Sequence, residues 1–355
     1  MVKVSVIMPV YNASEYLEEA INCILNQTLT DLELICVDDG STDDSLNILK
    51  ELAISDNRIQ VYHQENKGGG AARNLALTYA TGEYLYCMDA DDMINLDALE
   101  KLYNISKEKD LDFIIFQAIN YDDKLDKYYH NSYYDMDAIA KKMGDKVFNF
   151  EDVRKLLFHI SVTPWCKLYN LDFVKKTGAQ FAEGLIFHDN IFFWGLIFKA
   201  KRMYFLEETL YTRRRHMNSS TGAKDKRYVS TIAIYNKIIK IFMDNGYFDD
   251  YKKTLYNKKM NLAYRRFSEV KDEHKPYFFS VMKTDFSKML NHERYDEFLE
   301  FAEKRNKRRF FDVVDSKDYN EFKKRYDAHE LNIKTENKPA NEGRLSKFKR
   351  LFKKN

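Results

Sequence analysis

The sequence predicts an α/β protein, with a mostly parallel sheet carrying helices on both faces, followed by a mainly helical C-terminal region. Three observations predict it. Over the first 116 residues, short apolar runs alternate with stretches whose apolar residues recur at helical spacing. The first four of those runs each end in a polar cluster. From about residue 226 the chain reads as helix, rich in Lys, Tyr and Phe and free of Gly–Pro punctuation.

The elements follow in order. "VSVIM" (4–8) is a buried strand. Leu17, Ala20, Ile21, Ile24 and Leu25 then mark one face of a helix. "LELICV" (32–37) is the second strand, and "STDD" (41–44) opens the next helix in the manner of a capping box, with Leu46, Leu49, Leu52 and Ala53 turned inward. "IQVYH" (59–63) is the third strand. "GGGAARNLALTYATG" (68–82) is a Gly-rich loop and a helix that stops at Gly82. "EYLYCM" (83–88) is the fourth strand, Leu96 to Lys107 is helical, and "FIIF" (113–116) is strand again. The middle, 117–225, is less regular. Residues 332–343 read as a linker. The last stretch, 344–355, is a basic tail that places Leu345, Phe348, Leu351 and Phe352 on one helical face.

Composition narrows the function. The chain has 355 residues, enough for about two domains, and a formal net charge of only +2, which argues against a nucleic-acid binder. Cys23, Cys36, Cys87 and Cys166 show no CxxC spacing and read as reduced buried thiols of a cytosolic protein. The first residues carry no signal-peptide pattern, and runs such as Ile191 to Phe198 fall short of the roughly 20 residues of a membrane span. A phosphate-binding GxxxxGK[ST] loop is absent, and the first strand–helix turn, "PVYNAS", lacks the glycines of a dinucleotide fingerprint. An EF-hand is excluded because Met93 and Ile94 stand where that loop needs Asp/Asn and Gly.

What remains is the rim of the sheet. "PVYN" (9–12), "DDGS" (38–41), "ENKGGGAAR" (65–73) and "DADD" (89–92) follow strands one to four, at the carboxyl edge where open α/β sheets bind ligands. Asp89 and Asp91 crowd two carboxylates into a small volume. A hard divalent cation, Mn²⁺ or Mg²⁺, relieves that repulsion and bridges to a diphosphate; a solvated turn with helix-capping acids is the alternative. Tyr11 suits stacking on a planar base, and Asp38 or Asp39 suits accepting a ring N–H such as that of uracil. Arg73, after three glycines, suits a diphosphate.

The stretch "SVIMPVYNASEYLEEAINCILNQTLTDLELICVDDGSTDDS", then "NKGGGAARNLAL", then "TGEYLYCMDADD" resembles the family 2 glycosyltransferases of the GT-A fold. The resemblance covers residues 3 to about 105 strongly. It continues more weakly through "WCKLYNLDFV", "EGLIFHDNIFF" and "LYTRRRHMNSST" to about 221. It implies an inverting enzyme that moves a sugar from a UDP-sugar to a hydroxyl of a glycan or lipid-linked acceptor, of the kind used for cell-surface polysaccharide. Pro9, Tyr11 and Asp39, with Asp38 beside them, would bind uridine. Arg73 would help bind the donor, Asp89 would touch ribose or metal, and Asp91 would hold the metal. The family's "ED" pair reads "HD" here, which leaves Asp189 as the general base and puts His188 in place of the first acid. Arg213, Arg215 and His216 would reach the diphosphate.

The expected organisation is a catalytic domain over 1–225, in a nucleotide-binding half (1–116) and an acceptor half (117–225). A helical domain over 226–331 would serve the acceptor site or a homo-oligomer contact. The tail would make a peripheral contact with the inner face of the plasma membrane. Two other readings stay open at this stage: a sugar nucleotidyltransferase, and a non-catalytic sugar-nucleotide-binding protein.

Overall fold

The computed structural model describes residues 1–216 and 223–336, with 330–336 described by backbone alone. The basic tail at 344–355 and the later part of the expected linker therefore lie outside the described residues; residues 332–336 continue a helix.

The sheet has nine strands: β1 (Val4–Val10), β2 (Leu32–Asp38), β3 (Ile59–His63), β4 (Tyr84–Cys87), β5 (Met93–Ile94), β6 (Phe113–Asp122), β7 (Lys127–Tyr129), β8 (Lys167–Asn170) and β9 (Met203–Arg215). Their order is β3-β2-β1-β4-β8-β6-β9-β5, with β7 beside β6. The first four strands form a parallel block. Beyond it the sheet is mixed: β8 runs antiparallel to both β4 and β6, and β6 pairs in parallel with β9.

In the parallel block β1 and β2 are buried on both sides, which is why they read as continuous rather than alternating apolar runs. Two polar residues break those runs, and both are satisfied. Ser5 Oγ donates to Glu33 Oε1 at 2.6 Å, and that carboxylate also accepts from Thr81 N–H and Gln60 Nε2. This network stitches the amino-terminal edge of the sheet, opposite the rim of interest.

The helices of the first half are α1 (Leu17–Leu25), α2 (Ser45–Ser55), α3 (Gly69–Tyr79) and α4 (Ala98–Glu108). The chain steps outward from β1 to β2 to β3, then returns through α3 to place β4 on the other side of β1. With right-handed crossovers that reversal puts α3 on the face opposite α1 and α2, and opens a crevice between the carboxyl ends of β1 and β4.

Two local expectations are revised. The segment 41–44 does not cap α2 as a box. Asn12 adopts a left-handed φ of 48°, and the segment instead bonds back to it: Asn12 N–H donates to Ser41 Oγ at 3.0 Å and Thr42 N–H to Asn12 Oδ1 at 2.8 Å. Nor are the three glycines a loop. Only Gly68 has positive φ, and Gly69 and Gly70 form the first turn of α3.

Downstream lie α5 (Ser132–Asp135), α6 (Asp137–Met143), α7 (Leu171–Thr177), α8 (Asp189–Ile197), α9 (Ser230–Asp244), α10 (Phe248–Glu269), α11 (Lys275–Leu290), α12 (Tyr295–Phe301), α13 (Lys304–Val314) and α14 (Tyr319–Glu336). The chain divides into two compact units, Met1–Asp250 and Tyr251–Asn355. Helix α9 belongs to the first because Phe242 packs on Trp194 (ring centroids 5.0 Å), Phe198 (4.9 Å) and Phe158 (5.9 Å). The second unit has its own aromatic core, including Phe267, Phe278, Phe310 and Phe322. Among the described residues no helix is long and apolar enough to cross a membrane.

Candidate active site

The register of the parallel block sets out the rim. Ile7 is level with Ile35 and Cys87, and Val10 with Asp38 and, through it, His63. Two residues beyond the Ile7–Cys87 pair stand Pro9, still on β1, and Asp89, just past the end of β4. Tyr11 is 50% exposed, its ring open to stacking.

Asp38 and Asp39 leave β2 on opposite faces, as successive strand residues must. Asp38 is fully buried; its Oδ2 lies 2.7 Å from His63 Nδ1, while its Oδ1 has no partner. Asp39 shares the face of Pro9 and organises the loop before α3. Its Oδ1 accepts from Gln64 Nε2 (2.7 Å) and Lys67 N–H (2.8 Å), and its Oδ2 from Gly68 N–H (2.8 Å).

Arg73 is buried in the first turns of α3 and pairs through Nη2 with Asp89 Oδ1. Its Nη1 lies 3.2 Å from His188 Nε2, and its guanidinium sits 5.5 Å over the Phe181 ring. An arginine has donors only, so Nε2 of His188 must accept. The other ring nitrogen, Nδ1, is 2.9 Å from Asp189 Oδ1, close but off the line of a hydrogen bond. Burial pushes the Asp189 carboxyl up, but the neighbouring His188 ring and the Arg73 and Arg213 guanidiniums outweigh it and hold it below the ordinary carboxylate range. Asp189 is therefore ionised at neutral pH, the state a proton acceptor requires.

The glycines are explained by close approach. A Cβ on Gly70 would stand 2.4 Å from Ala182 O and 3.3 Å from His188 Cβ. The loop that carries His188 thus lies directly on the first turn of α3, and only glycine at 70 admits it.

The three acids after β4 fall into three environments. Asp89 faces Arg73; burial raises its pKa, Arg73 opposes this, and Asp91 and Asp189 raise it further. Asp91 Oδ2 is 2.7 Å from His216 Nε2. Asp92, buried at 2% exposure, accepts from Tyr211 Oη (2.6 Å) and Arg214 N–H (2.7 Å). The three carboxylates have oxygens within 4.8 Å of one another. Both Asp92 oxygens accept from β9, so a cation would draw first on Asp89 and Asp91, with the His216 ring adjoining Asp91. Hard carboxylate oxygens gathered this closely suit Mn²⁺ or Mg²⁺.

On β9, Arg213 bonds Tyr134 Oη at 2.7 Å and acts electrostatically on Asp89, Asp92 and Asp189. Arg215 lies on the same strand face, by the two-residue period. Arg214 points the other way and is structural: it reaches Asp123 Oδ1 (2.8 Å) and Glu19, and its Nε donates to Asp91 O at 3.1 Å.

Sequence reasoning missed Arg214, Tyr211 and Asp92 as the groups that dock β9 to the acid loop. It also missed Lys167, whose ammonium is fully buried and donates to Ser161 O (2.6 Å) and Thr163 O (2.8 Å). Reading 203–215 as a strand would have separated Arg214 from Arg213 and Arg215.

The chain is similar in sequence and in fold to known proteins. Residues 5–177 match the glycosyl transferase family 2 domain. Over 226 residues the chain is 33% identical to the glycosyltransferase GlyG of Streptococcus pneumoniae, covering 61% of this chain and 72% of that one. Over 302 residues it is 30% identical to the cholesterol galactosyltransferase of Borreliella burgdorferi, covering 75% and 80%. Its fold is similar to that of S. aureus TarS 1-349. The match to the complex with UDP has a TM-score of 0.67 at 19% identity, covering 93% and 92% of the chains; that to the UDP-GlcNAc complex has 0.60 at 23%, covering 80% and 81%.

Proposed function

The chain belongs to glycosyl transferase family 2 and is a glycosyltransferase of the GT-A fold, and from that premise we propose that it transfers a sugar, a hexose or N-acetylhexosamine, from a UDP-linked donor to a hydroxyl of a glycan or cell-surface polysaccharide acceptor. The proposed course is a metal-assisted single displacement with inversion, with Asp189 as general base. One observation carries the reading: Asp89, Arg73, His188 and Asp189 form a continuous row at the carboxyl edge of the sheet, beside the Asp91–His216 pair.

In this reading Pro9, Tyr11 and Asp39 receive the uridine, the Tyr11 ring stacking on the base. Asp38 is sealed beneath that end with its Oδ2 on His63, so it supports the uridine end from within and does not touch the base. UDP and UDP-GlcNAc bound to the TarS neighbour favour a uridine donor. Asp91 and Asp89, with the His216 ring adjoining Asp91, would hold Mn²⁺ or Mg²⁺, which when bound supplies charge neutralisation for the departing diphosphate. Arg73 opposes negative charge from the protein side, and Arg213 and Arg215 extend from β9 toward the same diphosphate. Asp189 accepts the proton of the acceptor hydroxyl as the glycosidic bond forms, a role worth about 10²–10⁴-fold. An α-linked donor then gives a β-linked product. The basic amphipathic pattern of 344–355 favours work at the cytoplasmic face of a membrane, where lipid-linked acceptors sit.

The test is turnover of a panel of UDP-sugars by the purified chain with Mn²⁺. One donor should be cleaved, Asp91→Ala should abolish the metal-dependent rate, and Asp189→Ala should lower turnover by at least about 10²-fold. Full turnover in Asp189→Ala would remove the base assignment, and full turnover after chelation would remove the metal.

A further inference from the structure

We propose that His188 is a positioning residue: a neutral imidazole, fixed as its Nδ1–H tautomer, that ties the donor-side Arg73 to Asp189. The proposal rests on the reading of Asp189 as the base, and adds how that carboxylate is aimed and coupled to the donor.

The argument starts from proton inventory. Arg73 Nη1 can only donate, and His188 Nε2 is 3.2 Å away, so Nε2 carries the lone pair. The remaining proton is on Nδ1, the atom that stands 2.9 Å from Asp189 Oδ1. A small turn of the ring brings that N–H into line, the kind of tightening that accompanies substrate binding.

The ring cannot take the opposite tautomer without setting two donors face to face at Nε2 and a lone pair against a carboxylate at Nδ1. Phe181 packs against the ring as a T-shaped pair at a centroid distance of 5.7 Å. The first turn of α3 lies close beside it, so that a Cβ added at Gly70 would stand 3.3 Å from the His188 Cβ and one added at Gly69 3.5 Å from its Nε2.

The chemistry also explains what an imidazole does here that a carboxylate does not. A glutamate at 188 would put a second negative charge beside Asp189 and compete with Asp89 for Arg73. The neutral ring gives Arg73 an acceptor while leaving its charge to Asp89, and gives Asp189 a donor while adding no charge. One side chain therefore serves the donor half of the site through Nε2 and the acceptor half through Nδ1.

That division gives a test in which the two halves separate. Asparagine at 188 puts an amide N–H near the Nδ1 position and leaves Arg73 without its acceptor. Glutamine reaches the Nε2 position with its carbonyl and leaves Asp189 without its donor. His188→Asn should keep kcat within about threefold and raise the donor KM by about tenfold. His188→Gln should keep KM and lower kcat by about 10–100-fold, as expected for a base no longer held in line. Independently of activity, long-range ¹H–¹⁵N correlation on the intact chain should find His188 in the Nδ1–H form, and Arg73→Met should release it to a tautomer mixture.

An Nε2–H ring in the unaltered chain, or Asn and Gln variants that change kcat and KM alike, would overturn the proposal. Full turnover in Asp189→Asn would instead overturn the base reading, while the tautomer measurement still decides the bond to Arg73.

Discussion

Alanine at two adjacent glycines should have opposite effects. At Gly69 a Cβ would meet only Arg73 Nη1 and His188 Nε2, both at 3.5 Å, which is ordinary contact with side-chain ends. Its φ is not positive, so Gly69→Ala restricts the unfolded chain without straining the fold and should stabilise by a few tenths to about 1 kcal/mol. At Gly70 the Cβ would stand 2.4 Å from a backbone oxygen, Ala182 O. Taking about 3.3 Å as the closest ordinary C···O approach, the loop must retreat by roughly 0.9 Å. Overpacking of that kind costs about 1–3 kcal/mol, so after the same entropic gain a net loss of about 1–2 kcal/mol remains. The retreating loop carries His188 and leads into Asp189, and a displacement near 1 Å at a reacting group lowers turnover by about 10²-fold. The assay is urea denaturation followed by tryptophan emission. Both tryptophans, Trp165 and Trp194, lie in the first unit, so the signal reads the unit that holds the site. A Gly70→Ala midpoint at or above that of Gly69→Ala would refute the close approach and, with it, the account of why the loop lies where it does.

Two further outcomes follow from the same geometry. Asp189 ionises below its ordinary 3.8, so its ionised form favours the folded state; that contribution is present above about pH 4 and lost as pH falls through the lowered pKa. The stability difference between the unaltered chain and Asp189→Asn, measured by urea titration, should therefore shrink across that window, and a difference that grows on acidification would reverse the sign argued here. Lys167→Met should destabilise the first unit by about 2–4 kcal/mol because Ser161 O and Thr163 O lose a charged donor in a buried site. It should also shift Trp165 emission, since that ring belongs to the same loop as the two carbonyls and stacks on Tyr211 of β9 at 4.6 Å; unchanged stability would mean the carbonyls find other donors.

Local features of the sequence carried the first half of the fold. Strands β1 to β4 are short apolar runs bounded by polar clusters, and parallel strands buried on both faces have that signature. The switch of strand order then forces the clusters to one rim, which is why Pro9, Asp39, Arg73 and Asp89 were all legible from a one-dimensional pattern. The mixed part of the sheet was not. The edge strand β5 is two residues long, and β9 alternates irregularly across a bulged pairing with β6, so neither presents a clean period. The function of the glycines was half legible: the run was plain, but the reason for Gly70 is a loop more than a hundred residues away in sequence.

The acid cluster illustrates why residue type alone could not assign the site. Asp89, Asp91 and Asp92 are the same side chain within four positions, yet each is held by a different element: α3 through Arg73, the end of β9 through His216, and the body of β9 through Tyr211 and the Arg214 amide. Until β9 docks, the cluster is three mutually repelling carboxylates. Once it docks, Asp92 is buried as an acceptor for β9, leaving the two less buried acids, Asp89 and Asp91, as the better placed ligands. The strand that closes the sheet is thus the strand that sorts ligand from scaffold. Loss of the Asp92 contacts should disturb donor binding through Asp91 and His216 even though Asp92 itself faces the interior.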